Sequence, residues 1–308
     1  MRDPVLVVDI GGTKIACGIA FPDGRVESMQ IEPTRASEGG DAILDRVIAL
    51  ARSVRASSQI APSAIGVGTA GDVDPTTGAI SYATATIPNW LGQPIRAGMQ
   101  DAFALPTFVD NDGNVMALGE TIFGAGRGHR TIIGITVGTG IGGGIVIDRS
   151  IYRGARGFAG RIGHIIVDFE NRQPCTCGGA GCLEAYASTP PIIADFARQS
   201  GTNVERIGVK EIAEFAIAGN EIARRVIQRG AFFLGVGIAS LVNALNPETV
   251  IVGGGVAQIG ETYFSEVRRV ARARAQTSVK DTPIVPAQLG TNANLIGAAE
   301  LAWQGLGQ

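Results

Sequence analysis

The chain has 308 residues, 45% of them hydrophobic and 18% charged, with a formal net charge of −2 at pH 7. That is enough apolar material for packed cores, in roughly two domains at about 150 residues each, and too much for a disordered chain. The charge balance argues against nucleic acid as a partner, and 44 glycines without a Gly-x-y period argue against collagen and for many tight turns.

No apolar leader is visible at the start, where Asp3 and Asp9 interrupt the sequence. The charge-free runs 131–147 and 231–247 are broken by glycines and asparagines and fall short of a membrane span. The expectation is a cytoplasmic protein without membrane contact.

In chain order, residues 4–10 (PVLVVDI) read as a strand, 15–20 as a second, and 25–31, after the Pro22-Asp23-Gly24 turn, as a third. Residues 41–57 read as an amphipathic helix with Ile43, Leu44, Val47, Ile48, Ala51 and Val54 on one face. Strands follow at 64–68 and 107–109, the latter running into Asn111-Asp112-Gly113-Asn114 and a helix over 115–123. Strand, small-residue turn and strand then recur over 131–137, 138–144 and 144–147, which suggests duplication of an α/β half with a boundary at 115–130. The remainder reads as helix-rich, with helices at Glu221–Leu245 and Glu261–Arg274, a strand at 249–252 and a closing helix at 294–303. Arg268, Arg269, Arg272 and Arg274 read as a solvated helix face.

Three glycine turns follow strands: Gly11-Gly12-Thr13, Gly138-Thr139-Gly140 and Gly253-Gly254-Gly255. Without a Cβ, backbone N–H groups approach phosphate oxygens closely. Thr13 and Thr139 add hydroxyls and Lys14 adds charge. No segment fits the P-loop. Gly138, Gly140 and Gly143 match a dinucleotide fingerprint formally, but a strand follows where that motif needs a helix. Asp9 beside a phosphate cradle suits a bridging Mg²⁺, or is a turn-capping residue. Asp112 suits the base that accepts a hydroxyl proton in phosphoryl transfer, or caps the next helix.

His164, Cys175, Cys177 and Cys182 give H-x₁₀-C-x-C-x₄-C, three thiolates and an imidazole that suit a closed, structural Zn²⁺ site. Cys17, inside a strand, reads as a small core residue.

Together, Asp9-Ile-Gly-Gly-Thr-Lys, Asn111-Asp112-Gly113-Asn114, the glycine run from Gly138, Gly163-His164 and Cys-Thr-Cys-Gly-Gly-Ala-Gly-Cys-Leu-Glu from Cys175 to Glu184 resemble the ROK family of bacterial sugar kinases. The resemblance runs through nearly the whole chain in order. It implies an α/β, two-domain actin-like (ribonuclease-H-like) ATPase fold with an interdomain cleft. The small domain would comprise residues 1–115 joined by a C-terminal helix at about 294–308, and the large domain 116–293.

It further implies a hexose kinase using Mg²⁺ with ATP, with Asp112 as general base and Gly71, Asn89, Asn111, His164 and Glu184 as sugar contacts. Asp9, Gly11, Gly12, Thr13, Lys14, Gly138, Thr139 and Gly140 would serve phosphates and Mg²⁺, and Gly254 and Gly255 the adenosine. His164 would place one nitrogen on zinc and the other towards a sugar hydroxyl. A homodimer or homotetramer is implied too.

Arg161 departs from the pattern, standing where the family has glutamate in Glu-x-Gly-His. Arginine is donor-only and of opposite charge. Some N-acetylmannosamine kinases of the family resemble this chain in lacking that glutamate, so both a glucose-type and a 2-acetamido sugar are expected readings, beside a solvent-facing Arg161 that changes little. The family's repressors carry an N-terminal helix-turn-helix, for which the strand starting at about Pro4 leaves no room. A non-catalytic sugar-binding protein is the remaining alternative.

Overall fold

The computed structural model describes residues 2–83, 87–170, 172–203 and 207–308. They fall into two compact units, one made of Met1–Gly128, Gly144–Gly160 and Gln288–Gln308, the other of His129–Gly143 and Arg161–Ala287.

The first unit is built on strands β1 (Val5–Ile10), β2 (Lys14–Ala20), β3 (Val26–Pro33), β4 (Ile65–Thr69) and β7 (Thr107–Asn111), in the order β3-β2-β1-β4-β7. β1–β2 and β2–β3 pair antiparallel, and β1–β4 and β4–β7 pair parallel. β1 is buried along its whole length, the signature of a strand covered on both faces. Its residues alternate accordingly. Leu6, Val8 and Ile10 share a core with Ile43, Val47 and Leu50 of helix α1 (Gly40–Ser57), while Val5 and Val7 pack with Leu295, Ala298 and Ala302 of the closing helix α9 (Ala293–Gly305).

α9 also lies against α3 (Asp112–Phe123), and glycine is what permits the approach. A Cβ at Gly297 would come within 1.7 Å of the Val115 carbonyl oxygen, and one at Gly66 within 1.9 Å of that of Ala298. A short hairpin of β5 (Asp72–Val73) and β6 (Ile80–Tyr82) and helix α2 (Ile95–Phe103) complete the unit's regular elements up to β7.

The second sheet runs β10-β9-β8-β11-β12, from β8 (Ile132–Val137), β9 (Ile141–Ile147), β10 (Ser150–Ile151), β11 (Thr249–Gly253) and β12 (Ile284–Pro286). The chain passes from one unit to the other inside β9. Taken in chain order, the two sheets repeat one strand arrangement, with β8 and β11 in the places of β1 and β4. The expected duplication is therefore present at the level of topology.

Helices α4 (Glu184–Ala187), α5 (Thr189–Ser200), α6 (Val209–Ile217), α7 (Glu221–Leu245) and α8 (Glu261–Arg274) surround a core centred on α7, whose Val226, Ile227, Leu234 and Ile238 pack with Val250, Val252, Ile133 and Ile135. α7 is long and apolar enough to cross a membrane by length and composition alone, yet 56% of its most apolar window is buried inside the protein.

Local differences from the sequence reading have local causes. α3 starts at Asp112 rather than Val115, because the Asn111 side chain accepts the Gly113 N–H as an N-cap. β9 starts at Ile141, so the turn before it is only Gly138-Thr139-Gly140. Cys17 is fully buried in the first core. The arginines of α8 pair with carboxylates: Arg268 with Glu261, Arg269 with Glu266 and Arg272 with Asp281.

Candidate functional site

Asp9 is the next-to-last residue of the buried strand β1. The hairpin that follows is closed by Gly11 N–H donating to the Lys14 carbonyl (3.0 Å), and by Thr34, whose N–H donates to Thr13 O (3.0 Å) and whose hydroxyl donates to Gly11 O (2.6 Å). Thr13 and Lys14 are exposed on this hairpin, while Asp9 is buried. Burial is the main reason that the Asp9 carboxyl is pushed up to about 6. The amide of Asn294, donating to Asp9 Oδ1 at 2.9 Å, pulls it down, the charge of Asp112 pushes it up, and Lys14 pulls it down. Asp9 and Asp112 thus feel one another. Asn294 and Thr34 escaped the sequence reading because their partners are 285 and 23 residues away.

The β7–α3 corner carries two more carboxylates, Asp110 and Asp112. Asn111 is buried and held at both ends of its amide: its Oδ1 accepts from Gly113 N (2.9 Å) and its Nδ2 donates to Gly71 O (2.8 Å), which leaves its second N–H for another partner. Asp112 is half-buried on the first turn of α3, with Oδ1 accepting its neighbour Gly113's N–H at 2.8 Å. Gly71 has φ +88°, and a Cβ there would lie 2.9 Å from Tyr82 O. The exposed Asn89 has φ 53° in a turn tied down by Trp90 Nε1 donating to Ala70 O (2.9 Å) and Gln93 Nε2 donating to Asn89 O (3.0 Å). Gly71, Asn111, Asp112 and Asp9 are thus brought together, and the Asn89 turn is fastened to the residue before Gly71.

In the second unit the β8–β9 turn is closed by Gly138 N–H donating to Gly140 O (2.9 Å), and Thr189 donates both its N–H and its hydroxyl to Gly138 O. Glu184 Oε2 accepts the Ile141 N–H at 2.8 Å, close enough that a Cβ at Gly140 would come within 2.7 Å of it. Glu184 Oε1 accepts from the Thr176 hydroxyl at 2.9 Å. One carboxylate therefore ties the glycine turn to the cysteine loop. Gly254 has φ +85°, and a Cβ there would lie 2.4 Å from Val137 O, so Gly254 and the end of β8 also meet. Gly255 opens the short turn that follows. Arg161 is half-buried and precedes a 3₁₀ turn, Ile162–His164, seated where a Cβ at Gly163 would be 2.2 Å from Ile141 O.

His164, Cys175, Cys177 and Cys182 come together with all four ligand atoms within 4.8 Å of one another. Cys177 Sγ lies 3.8 Å from Cys182 Sγ, and Cys175 Sγ lies 3.6 Å from His164 Nδ1. Tetrahedral zinc with its usual bond lengths separates two sulfurs by about 3.8 Å, and a sulfur from a nitrogen by about 3.6 Å. Donor chemistry and spacing both fit that ion. Gly178 and Gly181 have positive φ, which lets the loop fold back on itself.

The ROK family model matches residues 5–305. The chain belongs to the ROK family. It is 36% identical over 313 residues to a glucokinase of Halalkalibacterium halodurans, covering 96% of this chain and 94% of that one. A ROK hexokinase from Thermus thermophilus superposes with a TM-score of 0.87 at 34% identity, covering 99% of both chains. A ROK family glucokinase from Streptomyces griseus, solved with glucose and AMPPNP, superposes with a TM-score of 0.86 at 34% identity, covering 98% of this chain and 99% of that one. The fold of this ROK protein is that of the actin-like ATPases.

Proposed function

We propose that this ROK protein is an ATP-dependent sugar kinase that transfers the γ-phosphoryl group to the 6-hydroxyl of a hexose. The observation that carries the reading is the β7–α3 corner, where a half-buried Asp112 stands beside an Asn111 locked at both ends of its amide. As the hydroxyl oxygen attacks phosphorus, Asp112 accepts its proton, the task that phosphoryl transfer to an alcohol leaves to a protein carboxylate.

Sugar hydroxyls are assigned to Gly71, Asn89, Asn111, Glu184 and Nε2 of His164, whose Nδ1 is the nitrogen near Cys175. Phosphate oxygens are assigned to Gly11, Gly12, Thr13, Lys14, Gly138, Thr139 and Gly140, and the adenosine to Gly254 and Gly255. Asp9 is the group fitted to the magnesium of Mg·ATP, which offsets phosphate charge when bound; a buried carboxylate resists ionisation until a cation approaches. His164, Cys175, Cys177 and Cys182 would hold a structural zinc. Residues 1–115 with the closing helix, and 116–293, are taken as the two functional domains. Sugar and ATP are the partners, without nucleic acid or membrane, in a cytoplasmic homodimer or homotetramer.

Arg161 favours a second reading of the substrate. The half-buried guanidinium supplies only donors where the family pattern has an acceptor, which suits the acetamide carbonyl of N-acetylmannosamine over a plain hexose hydroxyl. A coupled ADP-release assay with Mg·ATP and glucose, mannose, N-acetylglucosamine or N-acetylmannosamine, with Asp112→Asn as blank, tests both. Glucose preference supports the glucokinase-like reading, and N-acetylmannosamine preference makes Arg161 a specificity residue. Asp112→Asn is expected to bind sugar and lose turnover by several orders of magnitude; near-normal activity rejects its role as base. Silence on all four sugars with ATP bound rejects both substrate readings and leaves a rarer sugar or a non-catalytic sugar-binding protein, which sugar-independent ATP turnover, or none on a wider sugar panel, would favour.

A further inference from the structure

We propose that Asp110, held by Arg153, is a positioning residue that fixes the Asp112 carboxylate for proton transfer; the inference rests on the kinase reading above. Asp110 is 5% exposed near the end of β7. Its carboxylate collects three donors. Oδ1 accepts the backbone N–H of Asn111 at 2.8 Å and Nδ2 of Asn114 at 2.7 Å, and Oδ2 accepts Nε of Arg153 at 2.8 Å.

A buried charge costs several kcal/mol unless it is paired and hydrogen-bonded. The strand itself does not require one: Val109, the residue before, packs in the first core as an apolar strand residue should. The donors show what the charge does. Asn111 and Asn114 lie one residue before and two residues after Asp112, so one carboxylate grips the chain on both sides of the base. Asn114 Oδ1 is buried and has no hydrogen-bond partner among the described residues. An unpaired buried acceptor is destabilising, and Asn114 bears that cost while its amide nitrogen serves Asp110. With Asn111 bonded through its N–H, its Oδ1 and its Nδ2, rotation about the strand–helix corner is blocked from three directions.

Arg153 completes the arrangement from outside. Its segment is anchored by Tyr152 N–H donating to Ile145 O (2.8 Å) and Ala159 N–H donating to Arg153 O (3.0 Å). Its side chain is 36% exposed, so its replacement opens no sealed cavity and removes one of the three donors to the Asp110 carboxylate. Its Nε–H gives directional support to Oδ2, a bond that a lysine ammonium reproduces only in part. Misplacing a reacting group by about 1 Å costs on the order of a hundredfold in rate.

The test uses the full-length protein and the sugar selected by the ADP-release assay, with kcat, both KM values, sugar affinity by calorimetry and melting temperature measured for Asp110→Asn, Arg153→Ala, Arg153→Lys and Asp112→Asn. Asp110→Asn and Arg153→Ala are expected to lower kcat about tenfold to a hundredfold, with KM and sugar affinity within about twofold, and Arg153→Lys to recover part of the loss. Folded variants that melt earlier but keep kcat within twofold, or that raise KM at unchanged kcat, overturn the inference. If Asp110→Asn does not fold, the two Arg153 variants decide. A dead Asp112→Asn with unperturbed Asp110 and Arg153 variants rejects this inference alone, whereas an active Asp112→Asn rejects the base assignment and the inference with it.

Discussion

Replacing Asp9 with asparagine is expected to make the protein more stable and less active. Asp9 is buried, and its carboxyl is raised from the ordinary 3.8 to about 6, chiefly by loss of water and further by the charge of Asp112. The folded state therefore holds a proton that the unfolded chain has already released. Stability from this group is complete below pH 3.8 and is lost as pH rises through 6. A displacement of about two pH units corresponds to about 3 kcal/mol lost by pH 8, about half of that at pH 5, and little at pH 4. Asparagine carries no charge and keeps an oxygen for Asn294, which donates to Oδ1 at 2.9 Å. Asp9→Asn should thus gain up to about 3 kcal/mol over the parent at pH 8, with the gain shrinking as pH falls. Urea unfolding at pH 5, 6, 7 and 8 without nucleotide measures it. A variant less stable than the parent, or a difference that does not grow with pH, would refute the argument that the ionised Asp9 is held at a cost. Loss of Mg·ATP-dependent turnover in the same variant is expected, a trade of stability for function of the kind active sites make.

Two further outcomes test the second unit. Elemental analysis is expected to find one zinc per chain, and Cys182→Ser, at a sulfur 2% exposed beside Cys177, to lose the metal and lower the melting temperature; a metal-free parent with full activity would reject the site. Gly254→Ala puts a Cβ within 2.4 Å of Val137 O and 2.7 Å of Val137 N, at φ +85° and ψ −171°, where a side chain is strained. The loop must move, so KM for ATP should rise about tenfold, roughly 1.4 kcal/mol, with sugar affinity by calorimetry unchanged; an unchanged KM for ATP would remove Gly254 from the nucleotide site.

Much of this protein is legible in the sequence, where local chemistry decides. β1 and β2 declare themselves as apolar runs punctuated by Gly11-Gly12, and α7 and α8 by helical periodicity over 25 and 14 residues. The cysteine spacing marks a candidate metal loop, since three thiols and an imidazole within 19 residues need little from the rest of the fold to meet. The short elements β5, β6, β10, β12 and α4 were not legible, because two to four residues carry too little periodicity to read. α2, α5 and α6 take their place from the cores they cover, which a local pattern does not encode.

The tertiary structure alone decided the partners. Asn294 reaches Asp9 across 285 residues, Arg153 reaches Asp110 across 43, and Glu184 joins the glycine turn to the cysteine loop. The sequence by itself determined which groups could do chemistry: the carboxylates, the glycine turns and the soft ligands. Packing determined which of them lose water and which are held still. Desolvation and orientation depend on neighbours distant in sequence, and no local pattern encodes them.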